Sequence, residues 1–509
     1  NTLKAVELTG AEVKEWLEMS ASQFNRIDPN NSGAQELIDY GFQPYNFDVI
    51  DGVKYQIDVT QPARYNYTTG VVSNSDAHRI INFTNLDGSA IDPNQKFIVA
   101  TNNYRASGGG NFPGTKGGNA TVVVDSPLEN RQILMDYIKD QGVVNPVADN
   151  NWKIAPVGGV AKTLTFKSSP AAKEVLASTP SIKDVGSTSD GFEQYALDQD
   201  VHVQLLGIND LHGQLDYKTT VAGKPAGGIE YLAGYLKERE ATNPSNTLMV
   251  QAGDAVGASR PVSALLQDEP TIRILNELGF DVGTIGNHEF DEGVTEMLRL
   301  INGGAHPKTV EKYGVFEGAD FPYVAANVVK EDTNELILPP YVVKEVDGVK
   351  VGFIGVVTTE TPSIVTPSGV AGVKFTDEAE AINKYAAELK AKGIKAIVVL
   401  AHDPGTSATD GSNPTGKVVD IAKAVDDEVD VIFGAHDHKY LNSTVDGKLL
   451  VQSYSYGTAF SDVDLTIDPL TQDIVEKKAE IITTFQDAAH LDAKIKAEMD
   501  QYQADVAPI

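Results

Sequence analysis

The chain has 509 residues, 41% hydrophobic and 22% charged, which suits a globular protein too large for a single core. Its net charge of −30 would repel a phosphate polymer, so no nucleic-acid polymer is expected as a partner. With no cysteine it has no disulfide, thiolate metal site or thiol nucleophile, and no apolar run reaches the ~18 residues of a membrane span.

Residues 1–165 read as an α+β domain. Leu8, Val13, Trp16 and Leu17 have helical spacing over 8–19, with Thr9 and Glu12 set as a capping box. Lys54–Thr60, Gln95–Thr101 and Trp152–Val157 read as strands, and Glu129–Asp140 as a helix. Asp28, Asn30, Ser32, Gly33 and Asp39 have calcium-loop spacing. Pro29 and the missing entering helix make a turn the favoured reading. The loop from Asn102 to Phe112 offers binding groups: Tyr104 for a flat ring, Arg105 for an anion, and Gly108, Gly109 and Gly110 for close backbone approach. A glycine-rich turn with a core tyrosine is the structural alternative.

Residues 166–198 are polar and punctuated by Ser, Pro and Gly, so they read as a linker with a short helix near Ala171–Ala177. From Val201 apolar strands alternate with amphipathic helices, an α/β pattern. Strands are expected at Val201–Ile208, Thr247–Gln251, Val282–Ile285, Val351–Val357, Ala396–Leu400 and Val429–Phe433. Helices are expected near Gly228–Arg239, Thr271–Leu278, Thr295–Ile301, Glu378–Lys392 and Lys417–Ala424. Residues 486–509 read as a charged helix leading toward a domain beyond this chain, and the chain itself reads as a piece of something longer.

Polar ligands cluster just past the expected strands. They are Asn209-Asp210 with His212, Asp254, Asn287-His288, His402, and His436 with His438. In open α/β sheets such ends form the ligand edge. Five of the nine histidines fall there. Oxygen and imidazole donors without sulfur suit manganese, zinc, iron or magnesium. The donors are too many for one ion and suit two, about 3.5–4 Å apart, with Asp254 as the candidate shared carboxylate. Two dications and two aspartates leave the site near +2, which attracts a phosphate ester. From the residues alone, His288 is open as a metal ligand or a proton carrier, with Asp291 placed to orient it.

These residues resemble a known signature. Asp210-Leu211-His212, Gly253-Asp254, Gly286-Asn287-His288-Glu289, His402 and Gly434-Ala435-His436-Asp437-His438 resemble that of the calcineurin-like metallophosphoesterases. Ile208 to Gly213, Gly253 to Ser259 and Gly286 to Asp291 are similar to its 5′-nucleotidase branch. The resemblance spans about residues 200–485. It implies a four-layer α-β-β-α sandwich over 199–485, preceded by an α+β nucleotide-binding domain of the 5′-nucleotidase C-terminal type. One divalent metal would take Asp210, His212, Asp254 and His438, and a second Asp254, Asn287, His402 and His436. His288 with Asp291 would be the catalytic dyad. The implied reaction is attack of a metal-activated water on a nucleoside 5′-monophosphate, releasing nucleoside and phosphate. A 2′,3′-cyclic-nucleotide phosphodiesterase or 3′-nucleotidase is the enzymatic alternative, and a non-catalytic surface fragment with a structural metal site is the other. Asn102, Tyr104, Arg105, Gly108 and Gly109 would bind the nucleotide. The domain order is similar to the middle of a tandem, wall-attached bacterial chain, which implies an extracellular or cell-wall location and attachment through a further C-terminal region.

Overall fold

The computed structural model describes residues 1–144, 149–159, 163–179 and 181–507. It divides into two compact units, Asn1–Glu174 with Ile182–Gln199, and Val175–Ser181 with Asp200–Ile509.

In the first unit, strand Thr2–Thr9 runs between antiparallel strands Lys96–Asn102 and Thr121–Glu129. It leads directly into helix Gly10–Ser20, and both bonds of the Thr9–Glu12 capping box form. That helix buries Val13, Trp16 and Leu17, the residues whose spacing announced it. Leu8 belongs to the strand instead. Strands Val53–Ile57 and Trp152–Ile154 pair in parallel, and helix Asn130–Gln141 lies within a residue of its expected span. The Asp28–Asp39 stretch opens as a turn, with Asp28 Oδ1 accepting from the Asn30 N–H at 3.0 Å.

The linker expected at 166–198 is corrected by the structure. Strands Leu164–Ser168, Ile182–Ser187 and Glu193–Leu197 form one sheet that ends on Gln35–Glu36. Its turn residues punctuate a hairpin rather than a free connection. The strands went unread because most of their residues stay exposed or half-exposed, leaving little apolar alternation. The short helix there is a 3₁₀ helix, Pro170–Ser178.

The second unit is a sandwich of two six-stranded sheets. One runs in the order 323–324, 282–284, 247–252, 201–208, 459–468, 473–483. The other runs 341–346, 349–357, 396–402, 429–433, 448–453, 440–445. Val203, Leu205 and Val250 from the first pack against Phe353, Val398 and Phe433 from the second. Helices Ile229–Glu240, Glu269–Leu278 and Val294–Asn302 cover one outer face, and Glu378–Ala391 and Lys417–Ala424 the other. The central strands of each sheet are parallel, so their C-terminal ends point to a common edge. The fold is thus the expected four-layer α-β-β-α sandwich.

The C-terminal helix, Ala493–Val506, packs on the sandwich. It buries Ile495, Met499 and Tyr502 in the same core as Leu232 and Leu236. Its three apolar anchors recur at helical spacing among charged residues, which masked the stripe. Met499→Ala should therefore cost about 2–4 kcal/mol of stability in urea unfolding. A loss under about 0.5 kcal/mol would show that this helix is not part of the core.

Candidate metal centre

The strand ends bring every expected ligand to one place. Asp210 and His212 follow Val201–Ile208, Asp254 follows Thr247–Ala252, and Asn287 follows Val282–Thr284. His402 closes its own strand, and His436 and His438 follow Val429–Phe433. Ligand atoms of Asp210, His212 and His438 lie within 4.8 Å of one another. So do those of Asp254, His402 and His436, and those of His212, Asp254 and His288. Asp254 joins two of the three groups. The Asn287 amide oxygen lies 3.2 Å from His402 Nε2, which is 3.1 Å from Asp254 Oδ2.

The loops that carry these groups hold one another. Asp210 N–H donates to Gly253 O and His212 N–H to Asp254 O. His436 N–H donates to the Asp210 carboxylate at 3.0 Å, and His288 N–H to Asp254 Oδ1 at 2.8 Å. A side chain at Gly286 would put Cβ 2.2 Å from Asp254 Oδ1, so only glycine fits before Asn287. Asp210, His212, Asp254, His436 and His438 all have φ between +49° and +79°, a region costly for any residue but glycine.

The donor set fits cations. His212 Nδ1 faces Gly257 O and His402 Nδ1 faces Ala252 O, each at 3.0 Å. A carbonyl only accepts, so each Nδ1 donates to its carbonyl, which turns each Nε2 toward the centre, where it would offer a lone pair once a cation displaces its proton, the usual support of a metal-binding imidazole. His212 Nε2 and His438 Nε2 lie 3.2 Å apart, with Asp210 Oδ1 3.5 Å from the latter. Burial alone would raise Asp210, but hydrogen bonds from His212 and His438 hold it ionised well below the usual carboxylate range. Burial alone would lower His402, but the Asp254 charge lifts it to about 10. The site thus gathers negative charge in a dry place, and only positive charge balances it.

His288 is about as exposed as His438 and is set apart by its carboxylate partner. Its side chain is 34% exposed, and its Nδ1 lies 2.8 Å from Asp291 Oδ2. That hydrogen bond raises its pKa, against the opposing effect of burial.

Two residues named in the sequence have roles that were not read from it. Glu289 is buried, and its carboxylate accepts the N–H groups of Asp254 (3.0 Å), Ala255 (2.8 Å) and Gly286 (2.5 Å). It staples the Asp254 loop to the Asn287 loop. Burial, then the Asp254 charge, pushes it up to about 7. Its place in the Gly-Asn-His-Glu run was visible, but a residue whose partners are backbone groups of a distant loop has no spacing signal. Asn209 accepts from Ser453 and donates to Asp210 Oδ2, fixing the 453–456 loop, whose Tyr456 ring lies edge-on to His438.

The loop from Asn102 is a separate feature of the first unit. Asn102 caps a short helix by accepting from Arg105 N–H at 2.8 Å. Arg105 is corrected as an anion receiver. It is 4% exposed, and its guanidinium is spent on Asp48, Asn46 and the Gly109 and Tyr45 carbonyls. Gly108 has φ +90°, and a Cβ on Gly109 would enter the Tyr104 ring at 2.6 Å. Gly109 makes room for the loop's own tyrosine, and Gly108 for the backbone of residues 115–118. The Tyr104 ring is 48% exposed and remains available.

Residues 203–440 match the family described as calcineurin-like phosphoesterase, and residues 1–117 match the 5′-nucleotidase C-terminal domain. The chain thus carries a 5′-nucleotidase C-terminal domain followed by a calcineurin-like phosphoesterase domain. It is 34% identical, over all of its length and 35% of the relative's, to the trifunctional nucleotide phosphoesterase protein YfkN of Bacillus subtilis. It is 46% identical to endonuclease YhcR of the same organism, over 62% of this chain and 26% of the relative. It is 47% identical to the 2′,3′-cyclic-nucleotide 2′-phosphodiesterase/3′-nucleotidase of Haemophilus influenzae, over 39% of this chain and 31% of the relative. The chain thus spans about a third or less of the length of these curated relatives. Metallophosphoesterases use divalent metals, and the His/Asp clusters here are compatible with that use.

If Glu289 staples the two ligand loops, Glu289→Gln sets an amide donor against backbone donors. The variant should lose about 2–3 kcal/mol in urea unfolding. It should also bind manganese at least about tenfold more weakly in titration calorimetry. Unchanged manganese affinity would contradict this role.

Proposed function

We propose that the chain hydrolyses nucleotide phosphoesters at a two-cation centre, converting a nucleoside 5′-monophosphate to nucleoside and phosphate. The observation that carries this reading is the pair of ligand groups Asp210/His212/His438 and Asp254/His402/His436, with Asp254 Oδ2 3.6 Å from His212 Nε2. Asp210, His212, Asp254 and His438 would hold one divalent ion, and Asp254, Asn287, His402 and His436 the other. Manganese, zinc or a similar ion there supplies Lewis acidity toward phosphoryl oxygens and water.

The chain's own groups do the rest. Asp291 holds His288 by Nδ1, which favours the charged imidazole and fixes its orientation. In this reading His288 donates through Nε2 to a phosphoryl oxygen, where charge grows in the transition state. The backbone bonds among the ligand loops keep the donors in place before substrate arrives. Two dications against Asp210 and Asp254 leave the centre near +2, so it draws a phosphate ester to a protein of net charge −30.

Relatives named for cyclic-nucleotide phosphodiesterase and 3′-nucleotidase activity support a second reading, in which the preferred substrate is a 2′,3′-cyclic or 3′-nucleotide. Taken by itself, the first unit offers the exposed Tyr104 ring as the proposed stacking surface for a base. An extracellular or cell-wall setting is proposed on the cysteine-free composition.

Exhaustive chelation should abolish hydrolysis of an aryl phosphate, and added manganese should restore it. Activity that survives chelation would refute the cation centre. His288→Ala should keep its metal content but lose about 10²–10³-fold in kcat. Loss of metal in that variant would make His288 a ligand. The ranking of kcat/KM for AMP, 3′-AMP and 2′,3′-cyclic AMP then separates the two substrate readings.

A further inference from the structure

Two tyrosines flank the metal centre. The Tyr456 ring centroid lies 5.1 Å from that of His438 and 5.8 Å from that of His212, two proposed ligands of the same ion. His438 keeps 33% of its side chain exposed, so this flank of the centre is open to solvent. Tyr217 stands beside Tyr456 at 4.9 Å, and both tyrosines are partly exposed. The three neighbouring rings meet Tyr456 at angles between 62° and 72°, and among the described residues no ring lies parallel to it. Offset stacking, the other favoured aromatic contact, is left for a guest.

The backbone here is strained in favour of the side chains. Tyr454 has φ +56° and Tyr456 φ +60°, a region where bulky residues are rare. A turn alone would be made more cheaply by glycine, which the chain does use at Gly457, φ +65°. The strained loop is tied to the centre itself. Asn209 Nδ2 donates to Tyr454 O at 2.6 Å, and the Tyr456 N–H donates to Asp210 O at 2.8 Å. Strain held by such ties clusters where a ligand is met. Core packing does not account for Tyr456, because its ring stays partly open beside two imidazoles.

We propose that Tyr456, backed by Tyr217, is the stacking wall for the base of a nucleotide whose phosphate lies on the metal centre. This rests on the 5′-monophosphate reading and deepens it, by placing recognition of the flat organic group in the second unit itself. Stacking on an aromatic side chain tolerates every base, so the wall selects for the presence of a base and not for its identity. Tyr456 then sets specificity and takes no part in breaking the P–O bond.

The test compares AMP with ribose 5-phosphate, which differ only in the base, on the manganese-loaded full chain. Reference and variants all carry Tyr104→Ala, so that the first unit's exposed ring does not contribute. The reference should prefer AMP by at least about tenfold in kcat/KM, through KM. Tyr456→Ala should bring that preference to within about twofold, and Tyr456→Phe, which keeps the ring, should retain it. Tyr217→Ala leaves the contacts between Tyr456 and the histidines intact and should lower the preference at least about threefold, which serves if Tyr456→Ala does not fold. Equal losses on both esters would show that the ring only supports the metal-binding histidines. A preference that is absent from the reference, or that survives both alanine variants, would show that the base is met elsewhere. Either result overturns the proposal. If the reference hydrolyses neither ester, the 5′-monophosphate reading fails, and calorimetry with adenosine still decides the wall. Weaker binding in Tyr456→Ala but not in Tyr456→Phe supports it, and equal binding, or none in the reference, overturns it.

Discussion

Two aspartates with almost no solvent exposure, Asp210 at 0% and Asp254 at 1%, set the terms for everything around them. A buried carboxylate is costly unless charge and hydrogen bonds compensate it. Here the compensation comes from five strand ends. Backbone N–H groups of His436 and His288 and the Asn209 amide reach the two carboxylates, and the imidazoles of His212, His402 and His438 crowd them. The same closeness that makes the metal-free centre electrostatically tight makes it a receptor for cations.

Such an arrangement needs a rigid frame. Five of the ligand residues sit at positive φ, at roughly 1–2 kcal/mol each. That strain persists because the loops are too short and too well tied to relax. Two stacked sheets with helices on both faces fix where each strand ends, and the loop-to-loop hydrogen bonds fix the rest. Glu289 is the clearest case of this division of labour, since it reaches no ligand atom yet holds two ligand loops at once. His288, half-exposed at the border of a cavity, faces outward to about the same extent as His438.

Much of this was legible in the sequence because it rests on local signals. Apolar runs ending in Asn, Asp or His marked the parallel strands, and Val201–Ile208 and Val429–Phe433 were located to the residue. The Thr9–Glu12 box marked a helix start. What escaped depends on partners far along the chain. The antiparallel strands Ala459–Asp468 and Asp473–Thr483 alternate weakly and flank the sheet rather than build its centre. The 166–198 hairpin is too exposed to carry a hydrophobic pattern. Arg105 looked like an anion receiver because nothing local reveals that Asp48, 57 positions earlier, already holds it.

The central claim is that Asp254 lies between two cations. Electron paramagnetic resonance of the manganese-loaded protein tests it directly, because two manganese ions sharing a ligand couple their spins. The account predicts two manganese ions per chain with an exchange-coupled spectrum, reduced to an uncoupled signal in Asp254→Asn. An uncoupled spectrum in the wild type at full loading, or coupling that survives the loss of the Asp254 carboxylate, would contradict it.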